Sequence, residues 1–308
     1  FLSLARLNLP RGSVVIAPYP DIPALRAGIL KAIGSLFEAG ILAMKKRWGR
    51  WKLLLYVYDL PIEQRKMLGF STHALSRHAE AVAFRCSNVI GVMGAEMERM
   101  IRRRHPDLST PFVHYGFLPH YANRAEKKEA PGYPRKIGFV GNRSKARVEK
   151  LVQMLPCDKG IGYSFYGPGG EWLAGLRQDL RWHGSVDAEV LPALLNANVD
   201  FGLLLYDISN PAWREYLNMA TTSKFFTYIY SGIPILSYSY RHIAEVIRSH
   251  GLGYVFDDPA DIVHIALGVD EASYRETAQR VARFAQNLSE RNLLMEFVQA
   301  ALEVTKGR

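Results

Sequence analysis

Short, wholly apolar runs recur along the chain and alternate with longer stretches whose apolar residues fall three or four positions apart, the periods of buried strands and of amphipathic helices. In the first half SVVIAP (Ser13 to Pro18), LLLYVY (Leu53 to Tyr58), NVIGV (Asn88 to Val92) and FVHY (Phe112 to Tyr115) read as strands. Helices are expected from about Ile22 to Lys46, near Thr72 to Cys86 and near Ala95 to Arg104. Between Arg124 and Pro134 the sequence RAEKKEAPGYP is charged, then rich in proline and glycine, which marks a linker. The rhythm resumes with strands at Lys136 to Val140, Tyr163 to Tyr166, Asp200 to Leu205, Ile233 to Ser237 and Tyr254 to Phe256. Two helices, near Glu271 to Asn287 and Glu290 to Thr305, close the chain.

Alternation of this kind predicts an α/β fold with two Rossmann-like, doubly wound domains facing a cleft. The expected division is 1–125 for the first domain, 126–134 for the linker and 135–288 for the second, with a last helix over 289–308 packing back towards the first. In such sheets ligands lie beyond the C-terminal ends of the strands. The loops that follow strands are therefore where chemistry is sought.

Composition narrows the class. The chain has 308 residues, 48% hydrophobic and 22% charged, enough for sizeable cores and too apolar for disorder to dominate. A net charge of +10 and a pI near 9.5 imply an anionic partner: nucleic acid, a membrane surface or a phosphorylated substrate. The basic residues are scattered over both halves and no nucleic-acid reading module is present, so nucleic acid is the weaker reading. No G-x-G-x-x-G opens a helix after a strand, which argues against a nicotinamide-dependent oxidoreductase. The mostly apolar stretch Ala24 to Met44 carries Arg26, Lys31 and Glu38 and makes a poor membrane span. Lys45, Lys46, Arg47 and Arg50, interleaved with Trp48 and Trp51, suit peripheral contact with an anionic bilayer, or equally a solvated helix end with packed tryptophans. Cys86 and Cys157 fall in different domains and read as free thiols of a cytoplasmic protein. The sequence opens at Phe1 ahead of a strand, from which an initial segment is inferred to be removed or not represented.

Four loops in the second half form a set. KIGFVGNRSKARVEKL runs a strand into Gly141-Asn142-Arg143-Ser144 and then a helix, whose free amides attract anions. YSFYGPGG carries Tyr166 and Gly167 into a second glycine-rich turn. In WHGSVDAEVLPALLNANVDFGLLLYD, His183 reads as a ligand contact or a structural histidine, and the strand ends at Tyr206-Asp207. In EYLNMATTSKFFTYIYSGIPILSYS, Thr221, Thr222 and Ser223 are natural helix caps, which puts Lys224 in a first helical turn. A lysine there opposes the helix dipole, and a bound anion would satisfy both lysine and amides.

The run FVGN, FYGPG, WHGSV, YLN and SKFFTYIYSGIPILS, followed by the Gly251-Leu252-Gly253 turn, resembles the C-terminal half of bacterial GT-B sugar transferases. The pattern is similar to the glucosyltransferases that extend N-acetylglucosamine on streptococcal serine-rich adhesins and to the O-antigen β-1,6-galactofuranosyltransferases. The resemblance implies a UDP-sugar donor on the second domain, with Asn142 and Lys224 holding the diphosphate. Gly141, Arg143, Tyr166, Gly167, Tyr206, Thr222 and Ser223 would surround it. It further implies a hexose, glucose or galactofuranose, passed with inversion to a glycan or lipid-linked glycan acceptor, at the inner face of the membrane. Self-association stays open. The chain departs from the retaining group of such enzymes, because Met219 and Thr227 stand where a glutamate pair would precede Gly232-Ile233-Pro234.

No Asp-x-Asp occurs, so the resemblance implies neither a metal nor a further cofactor, and Lys224 with helix amides would carry the leaving charge. An inverting transfer also needs a base. Asp59, at the end of LLLYVY, leads; Glu63, one helical turn on, and Asp21, after APYP, are rivals. A plain reading of Asp59 is a turn former ahead of a proline, and a catalytically inactive sugar-nucleotide-binding relative also fits.

Overall fold

A computed structural model describes residues 13–19, 40, 51–67, 69–72, 74–116, 130–141 and 145–306. Asp21, Asn142, Arg143, the cluster Lys45, Lys46, Arg47 and Arg50, and all of the expected Ile22 to Lys46 helix except Gly40 lie outside the described residues. The chain divides into two units, Phe1–Leu118 with Asn292–Arg308, and Pro119–Arg291.

In the first unit β1 (Val14–Tyr19), β2 (Lys52–Val57), β3 (Val89–Val92) and β4 (Phe112–His114) form a parallel sheet in that order. Ile16 pairs with Leu54, Leu55 with Ile90 and Gly91 with Val113. LLLYVY and NVIGV supply the two central strands, β2 and β3, which are largely buried because a parallel sheet is covered on both faces, while β1 and β4 stand at the ends of that order. Helices α1 (Pro61–Met67), α2 (Ala74–Cys86) and α3 (Ala95–Arg104) connect them. α3 carries Glu96 and Glu98 in its first turn and Arg102, Arg103 and Arg104 in its last, which complements its dipole.

In the second unit the order along the chain is β5 (Arg135–Val140), α4 (Lys145–Met154), β6 (Ile161–Tyr166), β7 (Leu180–Trp182), α5 (Leu191–Asn198) and β8 (Phe201–Leu204). Then follow α6 (Pro211–Leu217), α7 (Ser223–Tyr230), β9 (Ile235–Tyr238), α8 (Arg241–His250), β10 (Gly253–Phe256), α9 (Asp261–Gly268) and α10 (Glu271–Glu290). The six strands are parallel in the order β10-β9-β8-β5-β6-β7. Phe139, Phe165, Phe201 and Leu203 form a core with Leu151, Ile262 and Tyr274. Asp200, expected as the first residue of a strand, instead turns its buried carboxylate on the start of β5, accepting from Gly132 N at 2.9 Å and Lys136 N at 2.7 Å.

α10 continues to Glu290, so the last helix, α11 (Leu293–Lys306), starts later than its periodicity suggested. α11 belongs to the first unit, where Phe297 joins Leu54, Val89 and Tyr115. Gly91 makes that contact possible: a Cβ there would lie 2.4 Å from the Phe297 ring. Among the described residues no helix is long and apolar enough to cross a membrane.

Candidate nucleotide site

The six-stranded order places a topological switch between β8 and β5, since the connections from β5 run towards β7 and those from β8 run towards β10. A crevice opens at the C-terminal ends of two strands that diverge in this way. The chain leaves β5 at Gly141 and β8 at Leu205, with Tyr206 next, on either side of that point.

Gly141 and Gly167 meet behind β5 and β6. Gly141 N donates to Tyr166 O at 2.9 Å, and Gly167 N to Gly184 O at 2.7 Å. Both have positive φ, +114° and +134°, which favours glycine. A Cβ on Gly167 would sit 1.9 Å from Gly141 O, backbone against backbone, so glycine at 167 is what lets the two loops touch.

Lys224 stands in the first turn of α7, whose cap is Thr222 in extended conformation with no side-chain cap bond. No acidic residue balances that turn. Phe225 N donates to Thr222 O at 3.0 Å, while among the described residues the Ser223 and Lys224 amides meet no acceptor. Thr222 Oγ1 is likewise enclosed without a partner among the described residues. Lys224 Nζ donates to Tyr206 Oη at 3.0 Å and lies 5.2 Å from the Phe139 ring centroid. Tyr206 is held from several sides. Trp213 stacks on it at 5.4 Å, Tyr240 and Phe139 meet it edge-on, and its amide donates to Tyr240 Oη at 3.0 Å. Phe139, Tyr206, Thr222, Ser223 and Lys224 therefore gather at the switch point, around a lysine and open amides that suit an anion.

Tyr166 is placed differently from the sequence expectation. It is 2% exposed, stacked on His183 with centroids 4.6 Å apart, and burial pushes its phenol up. Tyr166 is a wall of the loop cluster, reaching it through its backbone carbonyl. Burial first, then Arg181 and Lys136, holds the His183 imidazole below its ordinary value, which favours the neutral ring. His183 Nε2 lies 3.3 Å from Ser164 Oγ.

In the first unit Asp59 follows β2 and is half-buried. Its Oδ1 accepts from Leu60 N at 2.8 Å and its Oδ2 from Gln64 Nε2 at 2.6 Å, so it braces the entry to α1. Glu63 does not fit the role of a base. It is 2% exposed and paired with Arg104, which also pairs with the buried Glu80; His105 Nε2 lies 2.9 Å from Glu80. Burial pushes the Glu63 carboxyl up despite Arg104, and the group is enclosed and committed to that pair. The sequence reading missed this Glu63–Glu80–Arg104–His105 cluster, whose members come from three separate helix regions and share no local motif.

Residues 137–301 match the family model described as glucosyltransferase 3-like, C-terminal domain. A segment of 82 residues is 35% identical to glucosyltransferase 3 of Streptococcus gordonii, covering 26% of this chain and 25% of that protein. The solved GtfA/B complex aligns at TM-score 0.61 and 16% identity, over 99% of this chain and 60% of that one. Anabaena HepE, solved in complex with UDP-glucose, aligns at TM-score 0.56 and 11% identity, over 89% of this chain and 77% of that one. At these identities the structural likenesses speak to the fold alone, and the fold is GT-B.

Proposed function

The chain belongs to the glucosyltransferase 3-like family, whose C-terminal domain model it matches over more than half its length, and on that premise we propose that it moves a hexose, glucose or galactofuranose, from a UDP-sugar to a hydroxyl of a glycan acceptor. The observation that carries this reading is Lys224 at an uncapped helix start beside the switch point. A nucleoside diphosphate there meets the lysine and the Ser223 and Lys224 amides, which removes the conflict between Lys224 and the helix dipole. The HepE complex supports the choice of UDP, since that protein was solved in complex with UDP-glucose. Asn142 and Arg143, which follow Gly141 in the sequence, belong to the same assignment.

In the reaction the acceptor oxygen forms a bond to the sugar's anomeric carbon as the bond from that carbon to the diphosphate breaks. The acceptor proton passes to a carboxylate, for which Asp59 is the candidate, and UDP leaves with the electron pair. Lys224 and the α7 amides stabilise the charge that grows on the departing diphosphate. Met219 and Thr227, each 2% exposed, occupy the positions where a retaining site would carry glutamates, and this favours inversion.

Titration calorimetry with UDP and a transfer assay test the reading. Lys224→Ala is expected to abolish measurable UDP binding and slow transfer about 100- to 1000-fold, the effect of losing one charge-stabilising donor of ~2.7–4 kcal/mol. Asp59→Asn is expected to keep UDP affinity and lose transfer. Unchanged UDP affinity in the lysine variant sinks the diphosphate assignment, and full transfer by Asp59→Asn removes that residue as base.

A further inference from the structure

β5 is paired with β6 along its whole length, to Val140 with Tyr166, but with β8 only at Ile137 with Phe201 and Gly138 with Gly202. Beyond Gly202 the two strands part, and their backbone groups would face an unfilled gap. The gap holds the hydroxyl of Tyr228, a fully buried residue of α7. Its Oη accepts from Val140 N at 3.2 Å and lies 3.1 Å from both Gly138 O and Leu203 O, to one of which its single hydrogen is donated at a time. The ring reaches that place over Gly202, where a Cβ would lie 2.2 Å from it.

A buried tyrosine hydroxyl needs partners. What distinguishes this one is which partners it has: Val140, the last residue of β5, with Gly138 and Leu203 from the C-terminal halves of the two strands that frame the crevice. Tyr228 also sits four residues after Lys224, one turn along the same helix face. One hydroxyl thus ties α7 to the end of β5 and the end of β8, next to Gly141 on one side and below Lys224 on the other. Resting on the premise that the diphosphate binds at Lys224, we infer that Tyr228 is a positioning residue of the nucleotide site, setting the distance between the α7 start and the Gly141 loop through its hydroxyl.

Tyr228→Phe keeps the ring and removes only the hydroxyl. Tyr274→Phe is the matched control: Tyr274 is equally buried in the same unit, and its Oη donates to Asp200 O at 2.8 Å, ahead of β8 at the opposite end of the strand. Both variants are expected to lose comparable melting temperature. Tyr228→Phe alone is expected to weaken UDP binding and raise the donor KM roughly tenfold, with kcat little changed, because the loss is one hydrogen-bonded link in the bound-state geometry. Amide exchange without nucleotide gives a second readout, in which residues 137–141 exchange faster in Tyr228→Phe than in Tyr274→Phe. In the unsubstituted protein the Val140 amide is expected to exchange as slowly as the paired strand interior, although it lies past the last β5–β8 pair. Equal affinities in the two variants, or a fast-exchanging Val140 amide, overturn the inference. An unsubstituted protein that binds no UDP overturns the nucleotide reading instead, and the exchange comparison separates that result from failure of the clamp.

Discussion

At the residue scale, the charged cluster of the first unit gathers carboxylates from two helices around one guanidinium from a third. Glu63 and Glu80 are both buried against Arg104, so the guanidinium is what keeps two carboxylates tolerable away from water. Arg104→Met should remove about 3–5 kcal/mol, the cost of leaving buried charge unpaired. The pH dependence has a definite sign. Burial raises the folded-state pKa of Glu63, so the native state holds protons that the unfolded chain has released, and stability falls as pH rises above the ordinary carboxylate range. Urea titrations of Arg104→Met should therefore show partial recovery on acidification, and a variant that grows weaker on acidification would contradict the account. The place of Lys224 in a first helical turn was legible from sequence because its signal is local: cap residues, then a cation against a dipole. Glu63 and Tyr228 were not, because what decides their roles comes from distant strands and helices. In the sequence Glu63 is a rival to Asp59 one helical turn on, and Tyr228 is one of several aromatics in SKFFTYIY.

Strands were the most legible elements, since runs such as FGLL and KLLLYV have few alternatives to a buried parallel sheet. Their ends were less so. Asp200 reads as the start of an apolar run, yet its carboxylate serves the backbone of β5 and the strand begins one residue later. α6 escaped the pattern because it is a single short helix set by Asn210, whose side chain accepts from Ala212 N at 3.0 Å, and by Pro211. α11 is the element with the clearest energetic consequence. It covers the first unit's sheet through Phe297, which is 2% exposed and seated on Gly91. Phe297→Ala should cost about 3–5 kcal/mol, the usual penalty for emptying an aromatic core site. The loss should appear in the unfolding of the Phe1–Leu118 unit, followed by amide exchange of β3 and β4. Weakening of the Pro119–Arg291 strands instead would mean that α11 supports the other unit.

For the whole molecule, the alternation of strands and helices was enough to indicate two α/β units, because each apolar run needs a sheet and each amphipathic stretch needs a sheet to cover. The last helix, expected over 289–308 to pack back towards the first domain, joins the first unit by surface fit, Phe297 into the space above Gly91. The nucleotide assignment gains its strongest check at this scale, since a ligand stabilises only the state that binds it. UDP at about 100 times its Kd should stabilise the binding-competent unit by about 2.7 kcal/mol. If Lys224 and the α7 start hold the diphosphate, amide exchange in β5, β8 and α7 should slow with UDP by an amount that tracks this free energy. β1 and β3 of the first unit should keep their rates. Raising the salt concentration should weaken the protection, because a chain of net charge +10 draws an anionic ligand partly through screened attraction. Protection confined to the strands of the first unit would move the nucleotide off the switch point and take Lys224 out of the mechanism.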